Sequence, residues 1–148
     1  MIREAQTDEC EAMAQIHAAS FEYNWSASEI GTMLAEKNVI ALIDVHGDEV
    51  RGFIMLRYAA DECEILTIAV AKDWQRNGIG KALLLEAHRH ALQRHATRIF
   101  LEVAEDNFNA IALYTALAYQ ENGRRKGYYR RWHGRRIDAL TFALTLTK

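Results

Sequence analysis

Apolar residues recur at helical spacing in two early stretches of the chain, then give way to runs and alternations of strand type. Ile2–Ala5 reads as a short strand. Thr7 is placed to cap a helix to about Ala19, with Ala12, Ile16 and Ala19 at helical spacing. Ser26-Ala27-Ser28-Glu29 has the form of a capping box and opens a second helix to about Lys37. Val39–Val45 is a β-branched run, His46-Gly47-Asp48-Glu49 a turn, and Val50–Tyr58 a second strand, so the three predict a hairpin. Glu62–Val70 follows as a long alternating strand. Ile79, Ala82, Leu83, Ala87 and Ala91 mark one apolar face of a helix from about Gly78 to Arg94. Arg98–Val103 is a strand, Asn107 caps a helix to about Leu117, and Tyr119–Gly127 and Ala139–Leu146 are closing strands. This order predicts an α/β (α+β) fold: a mixed, mostly antiparallel sheet with about four helices packed on it.

Length and composition narrow the picture. The 148 residues suit one domain, 1–148, and no linker, repeat or low-complexity tract divides them. No run approaches ~18 apolar residues, so no transmembrane helix is expected. The acidic start MIREAQTDECEAM lacks the apolar segment of a secretory signal. Cys10 and Cys63 stand in no metal or redox spacing, which favours free thiols and a cytoplasmic location. The net charge of −2 conceals an asymmetry. Residues 1–50 hold ten acids against two bases, and residues 51–148 hold sixteen bases against ten acids. Two differently charged surfaces are one reading, and solvated faces are the other.

The chemistry concentrates in Gln75-Arg76-Asn77-Gly78-Ile79-Gly80, between a strand and a helix. Glycines there open backbone conformations closed to other residues and let a ligand approach the main chain. Unpaired N–H groups at a helix start, with the helix dipole behind them, form an anion site suited to a pyrophosphate. Arg76 and Lys81 add charge at its rim. A Walker loop requires Ser or Thr where Ala82 stands, and a dinucleotide fingerprint requires a small residue where Leu83 stands. Neither pattern is met.

The segment EILTIAVAKDWQRNGIGKALL resembles the coenzyme A loop of the GCN5-related N-acetyltransferases. Within that superfamily, FLEVAEDNFNAIALYTALAY, GYYRR, DALTFAL and FEYNWSASEI resemble segments of the ribosomal-protein S18 alanine N-acetyltransferases. The resemblance spans almost the whole chain and is strongest from Glu64 to Tyr129. It implies acetyl-CoA held by Ile68, Ala69, Val70, Gln75, Arg76, Asn77, Gly78, Ile79, Gly80, Lys81 and Asn107. It implies Glu102 as the base for the acceptor amine, Tyr114 as the acid for the departing sulfur, and a backbone N–H at Ile68 or Val70 for the thioester carbonyl. Pantetheine would pair with the same strand as an added strand does. It also implies a protein acceptor, a ribosomal protein beginning with alanine followed by arginines, with Glu22, Trp25, Tyr128 and Tyr129 at the peptide groove. Two departures stand out: Asn24 where the family shows proline, and Ala118-Tyr119 where it shows Gly-Phe.

Read alone, Glu102 is an outward strand residue, Tyr114 a core tyrosine and Asn107 a helix cap. An α-amine with a pKa near 8 costs roughly 3 kcal/mol less to neutralise at pH 7 than a lysine near 10.4, a task within reach of one carboxylate base. His88, His90 and His95 form no metal-ligand pattern. The basic and aromatic run Arg124–Arg136 suits a solvated hairpin better than a nucleic-acid surface. The alternatives to a protein acetyltransferase are a small-molecule amine acetyltransferase on the same fold, a non-catalytic coenzyme A-binding module, and an RNA-binding domain.

Overall fold

The computed structural model describes residues 1–147. Seven strands form one sheet: β1 (Ile2–Glu4), β2 (Val39–His46), β3 (Glu49–Ala59), β4 (Glu62–Val70), β5 (Arg98–Ala104), β6 (Gln120–Arg130) and β7 (Arg136–Thr145). Their order is β1-β2-β3-β4-β5-β7-β6. Every pairing is antiparallel except β4 with β5. Helices α1 (Cys10–Ser20) and α2 (Ala27–Leu34) cover one face, and α3 (Ile79–Gln93) and α4 (Phe108–Ala116) cover the other. The predicted mixed sheet with four helices is therefore the observed fold. Among the described residues no helix is long and apolar enough to cross a membrane.

Apolar side chains on both faces fix this layering. Met13, Ile16 and Ile30 pack with Ile43, Phe53 and Met55 on the first face. Leu83, Leu84, Ala87 and Ala91 pack with Ile54, Leu56, Ile99 and Leu101 on the second. Leu83 and Leu84 are fully buried, and each contributes about 1.5–3 kcal/mol of hydrophobic stabilisation. Gly52 makes the close approach of α3 to β3 possible. A Cβ there would lie 3.0 Å from the Ala69 carbonyl oxygen and 3.2 Å from Ile79 Cγ2.

The middle of the sheet splits. β4 and β5 pair only from Glu62↔Arg98 to Ile65↔Leu101 and then part. At that point Leu66 is an extra residue against β3, because Met55 pairs with Thr67 and Leu56 with Ile65. Such a bulge bends its strand and disturbs alternation. Here Ile65 and, beyond the bulge, Ile68 and Val70 all pack towards α3 and α4, while Leu66 and Ala69 pack towards α1 and α2. The bend opens a gap through the sheet between the carboxyl halves of β4 and β5.

Several predicted boundaries shift. Thr7 does not cap α1: Gln6 does so for a 3-10 turn, Thr7–Glu9, whose Glu9 side chain accepts from the Gln6 N–H at 2.8 Å. The paired acceptor Ser26 caps α2 as expected, but α2 ends at Leu34, three residues before Lys37. The last hairpin is longer than the apolar pattern, since β6 runs to Arg130 and β7 starts at Arg136. Cross-strand hydrogen bonds hold these polar residues in strand form although few are buried, and a hydrophobic pattern does not detect that.

Candidate active site

The glycine loop joins β4 to α3 and is built from local contacts. Arg76 (φ 67°) and Gly78 (φ 77°) both take left-handed backbone. For Arg76 this is an uncommon conformation, and it curls the loop as much as the glycine does. Gly80 is different from the sequence expectation, because it sits in the first turn of α3 and needs no special backbone. Its lack of a side chain instead keeps the helix start open beside Leu113 of α4, which a Cβ would meet at 3.5 Å. The first bond of α3 runs from the Ala82 N–H to the Gly78 carbonyl at 3.0 Å. The N–H groups of Gly78, Ile79, Gly80 and Lys81 have no acceptor among the described residues. They converge where the helix dipole is positive, as an anion site requires.

Two predicted ligand side chains serve the loop itself. Gln75 donates to the Val70 carbonyl at 3.1 Å, and Asn77 donates to the Trp74 and Gln75 carbonyls at 3.0 and 3.2 Å. Arg76 and Lys81 are exposed at the rim.

From the loop, the edge of β4 leads back to the gap. The Ala71 N–H bonds to the Arg51 carbonyl of β3 at 2.7 Å. By alternation the backbone groups of Ile68 and Val70 then face away from β3, towards the side where β5 has departed. Ala69 faces β3 with its backbone and buries its methyl against α1 and α2, so only its neighbours present N–H groups to a ligand. These features fit coenzyme A: donors for a pyrophosphate at α3, and an unpaired strand edge for an amide-bearing arm.

A cleft of about 1010 Å³ opens at the gap. It gathers Ile68, Glu102, Asn107, Tyr114, Glu22, Trp25, Tyr128 and Tyr129 from five separate segments. Residues 75–81 lie outside it, farther along the β4 edge. Glu102 and Tyr114 reach the cleft from opposite faces of the sheet. Ile99, Leu101 and Val103 of β5 point towards α3 and α4, so Glu102 between them points to the other side. Its carboxylate pairs with Arg125 of β6 at 2.8 Å, and that guanidinium also lies over the Tyr128 ring at 5.0 Å. Tyr114 is buried, and burial holds its phenol well above the usual value. Its hydroxyl has no partner among the described residues yet is not sealed in, so it opens on the cleft. Asn107 caps α4 by accepting from the Ala110 N–H at 3.3 Å.

The wall of the cleft around Trp25 depends on long-range contacts. Trp25 stacks on His17, with ring centroids 4.6 Å apart, and donates its backbone N–H to His17 Nδ1 at 3.1 Å. Glu22 accepts from the Trp132 N–H at 2.9 Å and pairs with Arg131 at 3.6 Å. Arg131 also grips Asp106 at 2.5 Å, so one guanidinium ties the α1–α2 segment, the β5–α4 segment and the last hairpin together. Tyr128 and Tyr129 meet edge to face, at 5.1 Å and 79°. Burial raises the Tyr129 phenol above its ordinary value.

The acidic excess of residues 1–50 is not concentrated at the cleft. Of the ten acids in residues 1–50, only Glu22 lines the cleft. All four cleft carboxylates are already engaged: Glu22 and Asp106 by Arg131, Glu64 by Arg57, and Glu102 by Arg125. His17, Arg125 and Arg131 thus belong to the site, and sequence reasoning missed them. Arg125 and Arg131 were legible only as part of a basic hairpin, and His17 only as one polar residue near an apolar helix face.

Comparison with known proteins bears on this arrangement. Residues 10–119 match the family described as Acetyltransferase (GNAT). The chain is 30% identical over 146 residues to the [Ribosomal protein bS18]-alanine N-acetyltransferase of Escherichia coli (strain K12), covering 99% of this chain and 97% of that one. The crystal structure of the ribosomal-protein-S18-alanine N-acetyltransferase from Escherichia coli superposes with a TM-score of 0.93 at 28% identity, covering 100% of this chain and 94% of that one. Arabidopsis thaliana NAA60 in complex with acetyl-CoA shares the fold, with a TM-score of 0.85 at 20% identity, covering 99% and 98%. The chain belongs to the GNAT acetyltransferase family and is an acyl-CoA N-acyltransferase of that family, which uses acetyl-CoA.

Proposed function

We propose that this GNAT acyltransferase acetylates the α-amine of a protein N-terminus, the N-terminal alanine of ribosomal protein S18 being the foremost candidate, with residues 1–148 acting as one catalytic domain in the cytoplasm. The carrying observation is the gap between β4 and β5, lined by Glu102 from one face and Tyr114 from the other. The named function of the Escherichia coli relative supports the acceptor class. Buried free thiols at Cys10 and Cys63 suit a reducing compartment.

Acetyl-CoA supplies an acetyl group activated as a thioester. The N–H groups of Gly78–Lys81 hold its pyrophosphate, with Arg76 and Lys81 at the rim and Gln75 and Asn77 keeping the loop in shape. The edge of β4 orients the pantetheine arm, and an N–H of Ile68 or Val70 polarises the thioester carbonyl. Glu102 takes a proton from the acceptor ammonium through water. Arg125, largely exposed, yields its place as the ammonium arrives. The freed amine attacks the thioester carbonyl, and the C–S bond breaks as the C–N bond forms. Tyr114 keeps its proton until then because burial disfavours the phenolate; it gives that proton to the departing sulfur and regains one, through water, from the nitrogen of the new amide. No covalent acyl-enzyme is required, and both cysteines are buried.

The test is incubation with acetyl-CoA and a peptide beginning Ala-Arg, followed by mass spectrometry. The expected outcome is one added acetyl group at the α-amine. No acetylation of this peptide, alongside turnover of a polyamine or aminoglycoside, would replace the protein acceptor with a small molecule. Acetyl-CoA binding without turnover of any amine would indicate a binding module.

A further inference from the structure

We propose that His17 binds the acceptor directly: its Nε2–H donates a hydrogen bond to the carbonyl oxygen of the acceptor's first residue. The inference rests on the peptide reading above and adds a specificity-determining contact to it.

The imidazole lines the cleft yet is only 2% exposed. Its Nδ1 accepts the Trp25 backbone N–H at 3.1 Å. A backbone N–H is always a donor, so Nδ1 carries no hydrogen and the ring's proton sits on Nε2. Among the described residues Nε2 has no partner, and no buried side-chain polar atom is both sealed and unpaired. Nε2–H therefore meets the cleft. The ring is clamped between Phe21, 4.4 Å away and inclined at 30°, and Trp25, 4.6 Å away and inclined at 13°. Phe53 closes a third side at 6.3 Å. A rigid donor on a buried ring is costly to leave unmatched once a ligand displaces water.

The chemistry of the matching group follows. Burial pulls the His17 pKa down to about 4, so the ring is neutral at pH 7 and does not repel an incoming ammonium. The cleft carboxylates Glu22, Glu64, Glu102 and Asp106 are each held by an arginine. What His17 lacks is a neutral acceptor, and a peptide N-terminus carries one beside its amine: the first carbonyl.

The experiment compares an Ala-Arg peptide with an analogue whose first amide is an (E)-alkene, which keeps an amine but removes the carbonyl and the N–H after it and leaves the amine more basic. The changes other than the carbonyl are common to wild type and variants, so the readout is the ratio of their preferences. The wild-type preference for the peptide in kcat/KM should exceed that of His17→Asn by about 10-fold, the size of one good hydrogen bond. In His17→Asn the Oδ1 still accepts from Trp25 while the Nε2 donor is gone. His17→Gln, which returns an N–H near Nε2, should restore part of the preference. In the wild-type protein with coenzyme A bound, peptide should move the His17 Nε2–H proton resonance downfield. A preference undiminished in His17→Asn, which is an equal loss on both acceptors, makes His17 a prop for Trp25 and overturns the proposal, as does an unmoved resonance. A wild-type enzyme inert towards the peptide but active on small amines removes the N-terminal reading instead, and this contact with it.

Discussion

The two walls of the site are built by opposite strategies. The coenzyme wall is made of backbone: four N–H groups at the start of α3, the edge of β4, and side chains that bond within five residues of themselves. The acceptor wall is made of side chains brought from distant segments. Glu22 meets Trp132 across 110 positions of sequence. Arg131 links Glu22 to Asp106, and Arg125 of β6 closes on Glu102 of β5. A backbone site recognises what acyl-CoA molecules share and tolerates side-chain change around it. A side-chain site built on ion pairs and a clamped imidazole changes with each residue, and the proposed function puts acceptor choice there.

That contrast breaks first at the gap where the walls meet. Glu102→Gln and Tyr114→Phe should each lower kcat by about 10²–10³-fold, as loss of a general base or acid does. Acetyl-CoA affinity measured by calorimetry should stay within about 2-fold, because the coenzyme wall is intact. A large affinity loss in either variant would merge the two walls into one.

The coenzyme wall should fail through its backbone. Gly78 holds φ at 77° with nothing within 4 Å of a Cβ, so Gly78→Ala is strained by conformation rather than by crowding. That strain costs about 1–2 kcal/mol. The dissociation constant for acetyl-CoA should rise about 5–30-fold, with the acceptor KM little changed. Equal effects on both ligands would contradict a separable coenzyme wall.

The acceptor wall should carry a pH signature. Unfolded His17 gains a proton near pH 6.5, whereas the folded protein keeps it neutral to about pH 4. The unfolded state thus binds more protons in this window, and stability must fall as pH drops from about 6.5 to about 4. The loss from this residue is at most about 3 kcal/mol. Burial lowers the pKa of His88 and His90 as well, and they add in the same direction. Chemical denaturation across this range should show the decline, and His17→Asn should flatten it. A slope unchanged in the variant would assign the decline to the other groups.

The smallest expected effect lies at the rim. Glu22→Gln removes one of the two carboxylate partners of Arg131, a partly exposed pair worth up to about 1 kcal/mol. The acceptor KM should rise by about 2–5-fold at low salt, and the difference should shrink at high salt. Acetyl-CoA kinetics should not respond.

Hydrophobic periodicity and cap chemistry carried most of the element order. Glu62–Val70 stands in the structure with its predicted bounds, Ser26 and Asn107 cap α2 and α4, and the loop Gln75–Gly80 opens α3. These features rest on interactions between residues a few positions apart, so the local sequence determines them. The family resemblance, not periodicity, singled out Glu102, Ile68 and Tyr114, and it did not show what they face. Tertiary structure alone decided the bulge at Leu66, the parting of β4 and β5, and the placement of Glu102 and Tyr114 on opposite faces of one gap. It also decided that Arg125 and Arg131 engage the cleft carboxylates and that the His17 Nδ1 is spent on Trp25. Each of these follows from the packing of two helical layers against a twisted sheet. That packing brings together groups whose separation along the chain bears no relation to their separation in space.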